Sequence, residues 1–126
     1  MIARSVNEIV ESYFRYLESK DEHHYWAWLA VDEECHSLTS GMRLTLKLIE
    51  SAPTKWHRDC VAAHALEDIV SRHGILAVRE IDRFAKDSDV LRLALPVINV
   101  DEDGETFKEW NALLARYKEI QLNDEL

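Results

Sequence analysis

Glycine and proline are scarce: three glycines and two prolines stand among 126 residues. Short strands joined by hairpins need those turn formers at frequent intervals, so a β-sandwich or barrel is excluded as the expected fold. Cysteine is equally sparse. Cys35 and Cys60 do not make a disulfide framework, and a reducing compartment, the cytoplasm, is the expected setting. No run approaches the eighteen or so apolar residues of a membrane-spanning helix. Arg4, Asn7, Glu8 and Glu11 interrupt what would have to be the apolar stretch of an export signal. Basic residues are outnumbered, 15 against 24 acidic, which leaves a net charge of −9. Such a field repels nucleic-acid phosphates and anionic lipid headgroups, so neither nucleic acid nor membrane is the expected partner.

What is present is apolar and helix-forming. Hydrophobic residues make up 47% of the chain, with four tryptophans and four tyrosines, enough for one core without staples. A single domain spanning residues 1–126 is expected. Val6, Ile9, Val10, Tyr13, Phe14 and Leu17 recur at three- and four-residue steps, which predicts a helix over residues 5–20, with Ser5 and Glu8 as a capping box.

A second helix is expected over residues 24–37, with Trp28 facing inward, Trp26 outward and an acidic edge of Asp32, Glu33 and Glu34. Thr39, Ser40 and Gly41 read as a break before a third helix that Pro53 ends; the apolar alternation from Met42 to Leu48 also admits a strand, which length and the lack of β-branched residues disfavour.

Residues 54–73 carry helical spacing, as one helix or as two short helices meeting near His64, and Gly74 is the stop. Ile75, Val78, Ile81, Phe84 and Ala85 define a further helix, and Asp87, Ser88 and Asp89 cap a short one that ends before Pro96 and passes into an irregular or extended linker. An acidic loop, Asp101 to Glu105, precedes a last helix striped by Phe107, Trp110, Leu113, Leu114, Tyr117 and Ile120, after which the tail frays. The fold class is all-α, as an irregular multi-helix bundle or a short helix-pair solenoid of about six to eight helices.

Chemistry-bearing motifs are few. His57, Cys60, His64 and Asp68 stand three, four and four apart, so an unbroken helix would project them within one sector. The row resembles metal ligands, but one straight helix seldom converges three side chains on an ion, and the competing reading is a core cysteine among surface histidines. Cys35 and His36 are neighbours, and adjacent helical residues diverge too far to form a thiolate pair. Gly41, Gly74 and Gly104 are isolated, so there is no glycine-rich phosphate loop. No catalytic residue, cofactor or metal is assigned.

Trp28 and Asp32, a helix end at Ala52-Pro53, Ala62-Ala63 followed by Leu66-Glu67-Asp68-Ile69, and His73-Gly74 before Ile81-Asp82 carry a resemblance. Over residues 28–97 the chain resembles a family of small bacterial helical domains of unknown function. The resemblance implies an all-helical fold, transfers no catalytic residue, and places Glu67 and Asp68 in the first turn of a helix, where free N–H groups favour carboxylates. Where the family shows Gly-Pro, this chain has His64-Ala65.

Size, charge and the lack of catalytic motifs lead to an expected role as a small acidic protein-binding module. Its most concrete form is a bacterial immunity protein or antitoxin covering the basic surface of a toxin domain. The expected contact residues are Trp26 as aromatic anchor, with Asp32, Glu33, Glu34, Asp101, Glu102, Asp103 and Glu105 supplying the charge. The alternatives are a metal-dependent enzyme built on the histidine row and a helical adaptor or scaffold.

Overall fold

The computed structural model describes residues 4–102 and 104–118, and among them every regular element is helical. Helix α1 (Val6–Ser19) begins at the expected capping box: Ser5 Oγ accepts from the Glu8 amide, and the Glu8 carboxylate accepts from the Ser5 amide. It ends at Lys20, which takes the left-handed conformation (φ 58°) and donates its amide to the Tyr16 carbonyl. A 3₁₀ turn (Glu22–His24) leads into α2 (Tyr25–Glu34).

Helix α3 (Leu38–Ser51) starts earlier than the Thr39-Ser40-Gly41 break suggested. Ser37 is its cap and Gly41 lies inside its first turns. The glycine serves closeness rather than a turn. A Cβ there would stand 2.9 Å from both the Cys35 Cα and the Glu34 carbonyl oxygen, so α2 and α3 turn their corner backbone against backbone.

Thr54 caps α4 (Lys55–Val61), and the chain then runs through a π turn (Ala62–Leu66) directly into α5 (Glu67–His73). The helical stretch expected here, as one helix or two meeting near His64, is one rod of residues 55–73 with a widened turn at its middle. Gly74, at φ 59° and ψ −135°, stops the rod in a conformation that side chains disfavour, and α6 (Ile75–Ala85) follows. Ser88 caps α7 (Asp89–Ala94) by accepting from the Leu91 amide. Pro96 sits within a 3₁₀ turn (Leu95–Val97), early in the turn, where a missing N–H matters little, and the chain becomes irregular after it, from the extended Ile98 to Asp101. Helix α8 is Glu105–Arg116. Counting the rod as one gives seven helices among the described residues; Ile120 and the tail lie outside them.

Helix α3 is the axis of the assembly and touches α1, α2, α4, α5, α6 and α7. In a helix-pair solenoid each unit contacts only its neighbours, so of the two expected architectures this is the irregular bundle. Met42, Leu48 and Ile49 on α3 are fully buried with Tyr13 of α1, Leu66 and Ile69 of the rod, Ile81 of α6, Leu91 of α7 and Leu113 of α8. Each such side chain contributes about 1.5–3 kcal/mol by leaving water. No helix of the described residues is long and apolar enough to cross a membrane.

Candidate functional site

The π turn organises the site. Ala62, Ala65 and Leu66 are fully buried against the core, while His64, between them, points toward α1 and α2. Widening a helix by one residue per turn displaces a carbonyl from its usual partner. Here the Cys35 thiol approaches the Ala65 carbonyl at 3.7 Å and donates to it. Burial pushes that thiol up to about 12, so it keeps its proton.

His64 is held on three sides. Its Nδ1 lies 2.9 Å from the Tyr13 hydroxyl, its ring stacks on Trp28 with centroids 3.5 Å apart and planes 3° apart, and its Nε2 faces Asp32 Oδ1 at 3.7 Å. Burial drives the Tyr13 phenol pKa far upward, so Tyr13 keeps its proton and donates it to Nδ1. The remaining ring proton then sits on Nε2, aimed at the Asp32 carboxylate. Burial lowers the His64 pKa and outweighs the opposing pull of Asp32, which leaves a neutral imidazole at pH 7.

Beyond His64 opens a cleft of about 520 Å³ between the rod and the loop after α7. Glu67, Asp68 and Asp101 line it with Asn99 and Thr106, and its described lining contains no lysine or arginine. Glu67 fastens the loop by accepting from the Asn99 amide at 2.6 Å, and Asp68 accepts from Arg72 Nε at 2.8 Å. Asp101 is exposed. Glu67 and Asp68 stand in the first turn of α5, as the resemblance implied, but the rod is continuous there and the Glu67 amide already donates to the Ala62 carbonyl, so that amide is not free to favour a carboxylate.

The π turn also dissolves the histidine row. His57 bonds Glu18 and Thr54, His64 bonds Tyr13, and Asp68 bonds Arg72, so the members of the row turn to different partners. Among the described residues no three His, Cys, Asp or Glu side chains stand where they could share a metal ion.

The expected contact residues are dispersed. Asp32 meets His64 and Asp101 lines the cleft, so the π turn links one residue from each acidic patch. Glu33 instead lies 3.9 Å from His36, and Glu34 borders a separate apolar depression of about 320 Å³ with Arg4, Val6 and Leu44. Glu102 and Glu105 are exposed beside the cleft loop, and Asp103 lies outside the described residues.

Trp26 is not an exposed anchor. It packs against the core and carries the Arg4 guanidinium 4.4 Å over its ring. The reason is that α2 is apolar on nearly every side, and Tyr25 and Leu29, 41% and 49% exposed, hold its outward face. Tyr13 and Trp28, both central to the site, read in sequence as core residues; the only local hint of the site is a histidine set among small residues in Ala62-Ala63-His64-Ala65.

No family model matches this chain, and neither a curated protein nor a solved structure matches it.

Proposed function

We propose that the chain is an acidic protein-binding module that takes a basic side chain of its partner into the cleft beside His64. The observation that carries this reading is the cleft itself: three carboxylates in its lining with no described lysine or arginine among them. A lysine or arginine entering there exchanges water for Asp101 and for the shared Asp68 carboxylate, while the neutral His64 ring sets no opposing charge.

The docking surface continues from the cleft past Asp32 to Leu29 and Tyr25, which lie one and two turns back along the same face of α2. Exposed apolar contacts flanked by carboxylates match the usual division of an interface into anchoring centre and charged rim. An interface of standard size covers about 800 Å² per partner. A bacterial toxin domain with a basic surface is the partner class we assign, which makes the chain an immunity protein or antitoxin of the cytoplasm. The net charge of −9 supports this assignment through faster association with a basic partner. The bacterial source, in turn, rests on the resemblance of residues 28–97 to small bacterial helical domains.

The test is titration of the purified chain with a fluorescein-labelled arginine-rich peptide at low and moderate salt. Saturable binding is expected, weakening as salt rises from about 50 mM to about 200 mM. Asp101→Asn is expected to lose about 1 kcal/mol, roughly fivefold in affinity. Glu33→Gln, on a different surface, is expected to change it little. Absence of saturable binding, or equal losses in the two variants, overturns the proposal.

A further inference from the structure

A second constellation lies apart from the cleft, where α4 begins. Thr54 Oγ1 stands 2.7 Å from His57 Nδ1, and His57 Nε2 stands 2.7 Å from Glu18 Oε1 on α1. The imidazole between them is 10% exposed and is walled edge-on by Phe14 and Trp56. Thr54 itself is exposed.

In the tautomer whose proton lies on Nε2 toward the carboxylate, Nδ1 offers a lone pair to which the threonine hydroxyl donates. A hydroxyl bonded to a base, with the base oriented by a third group, is the arrangement that activates a nucleophile. Capping alone does not require it. Ser5 and Ser37 cap α1 and α3 through their side-chain oxygens and, among the described residues, have no histidine at hydrogen-bonding distance. Thr54 caps α4 in the same way, accepting from the His57 amide at 3.3 Å, and has the imidazole in addition.

We propose that Thr54 is a base-activated acceptor hydroxyl, a covalent modification site for activated acyl esters, with His57 as general base and Glu18 as its positioning residue. In the reaction Thr54 Oγ1 attacks the acyl carbonyl carbon and its proton passes to His57 Nδ1. The bond from the acyl carbon to the leaving oxygen breaks, and the leaving group departs as the alcohol or phenolate. The imidazolium is held by the Glu18 carboxylate until it returns the proton to the leaving group or to solvent. The product is an ester on Thr54, and no oxidant or reductant is involved.

The experiment exposes the folded chain to p-nitrophenyl acetate at about pH 8 and reads acetylation of each hydroxyl by peptide mass spectrometry at short times, with p-nitrophenolate release followed in parallel. The expected result is acetylation of Thr54 at least about tenfold faster than of Ser5 and Ser37, despite its more hindered secondary alcohol, or, where the ester turns over, phenolate release that Thr54→Val removes. Glu18→Gln keeps an acceptor for Nε2 and loses the charge; Glu18 is half exposed, so the fold is retained, and the Thr54 rate is expected to drop about tenfold with unchanged helical content. Reaction of Thr54 no faster than of the two serines, or a rate indifferent to Glu18→Gln, overturns the proposal and leaves the three residues as a cap and a clasp between helices.

Discussion

Gly41→Ala is expected to destabilise this protein, although the same change inside an ordinary helix stabilises it by about 1 kcal/mol. The sign turns on one close approach. The new methyl group would lie 2.9 Å from the Cys35 Cα and 2.9 Å from the Glu34 carbonyl oxygen, both backbone atoms that no rotamer change can move aside. Forcing a methyl into such a contact shifts the α2–α3 corner and costs about 2–3 kcal/mol, within the range measured for overpacked sites. After the propensity gain, a net loss of about 1–2 kcal/mol remains, which for a chain of this length lowers Tm by roughly 5 °C. Circular dichroism at the helical band, followed through thermal and urea unfolding, reads this directly, and an unchanged m-value confirms that stability rather than the denatured state has changed. A Gly41→Ala variant with a raised Tm would refute the claim that the glycine exists for backbone contact.

Two further outcomes follow from the groups around the π turn. Burial lowers the His64 pKa below its ordinary value of 6.5, so the unfolded chain takes up that proton more readily than the folded one. The stability this contributes is complete above pH 6.5 and is lost as pH falls through the lower folded value; the urea midpoint is expected to fall between about pH 7 and about pH 5 more steeply in the native chain than in His64→Gln, and equal slopes would contradict it. Titration with a thiol-reactive disulfide reagent at about pH 8 is expected to find one reactive thiol in the folded state and two in urea. Cys60 is partly buried, whereas Cys35 is 1% exposed with its thiol pushed up to about 12. Two thiols of equal reactivity in the folded chain would refute that burial.

Local signals in the sequence were good guides to where helices begin and end. Ser5 with Glu8, Gly74, and Ser88 act on residues within four positions of themselves, and the structure uses each where expected. Gly41 misled because its reason lies in the preceding helix, not in its own turn. The π turn escaped notice for a related cause: the partner that fixes His64 is Tyr13, 51 positions away, and no periodicity within residues 54–73 encodes it. Period-based reading could not separate Trp26 from Trp28, since α2 is apolar around most of its circumference and burial there is decided by what packs on it. The acidic patches were visible as composition, but only the folding of Asp32 onto His64 and of Asp101 into the cleft that His64 lines distinguishes them from Glu33 and Glu34.

The central claim is a location: a basic group docks in the cleft between the rod and the loop after α7. Amide chemical-shift mapping of the isotope-labelled chain, titrated with an arginine-rich peptide, tests it most directly. The expected perturbations concentrate at residues 63–74 and 99–106, extend to Asp32 and Leu29, and fade at high salt. Shifts gathered around Glu33, Glu34 and the apolar depression of α1 and α3, or spread evenly over the acidic surface, would contradict the account.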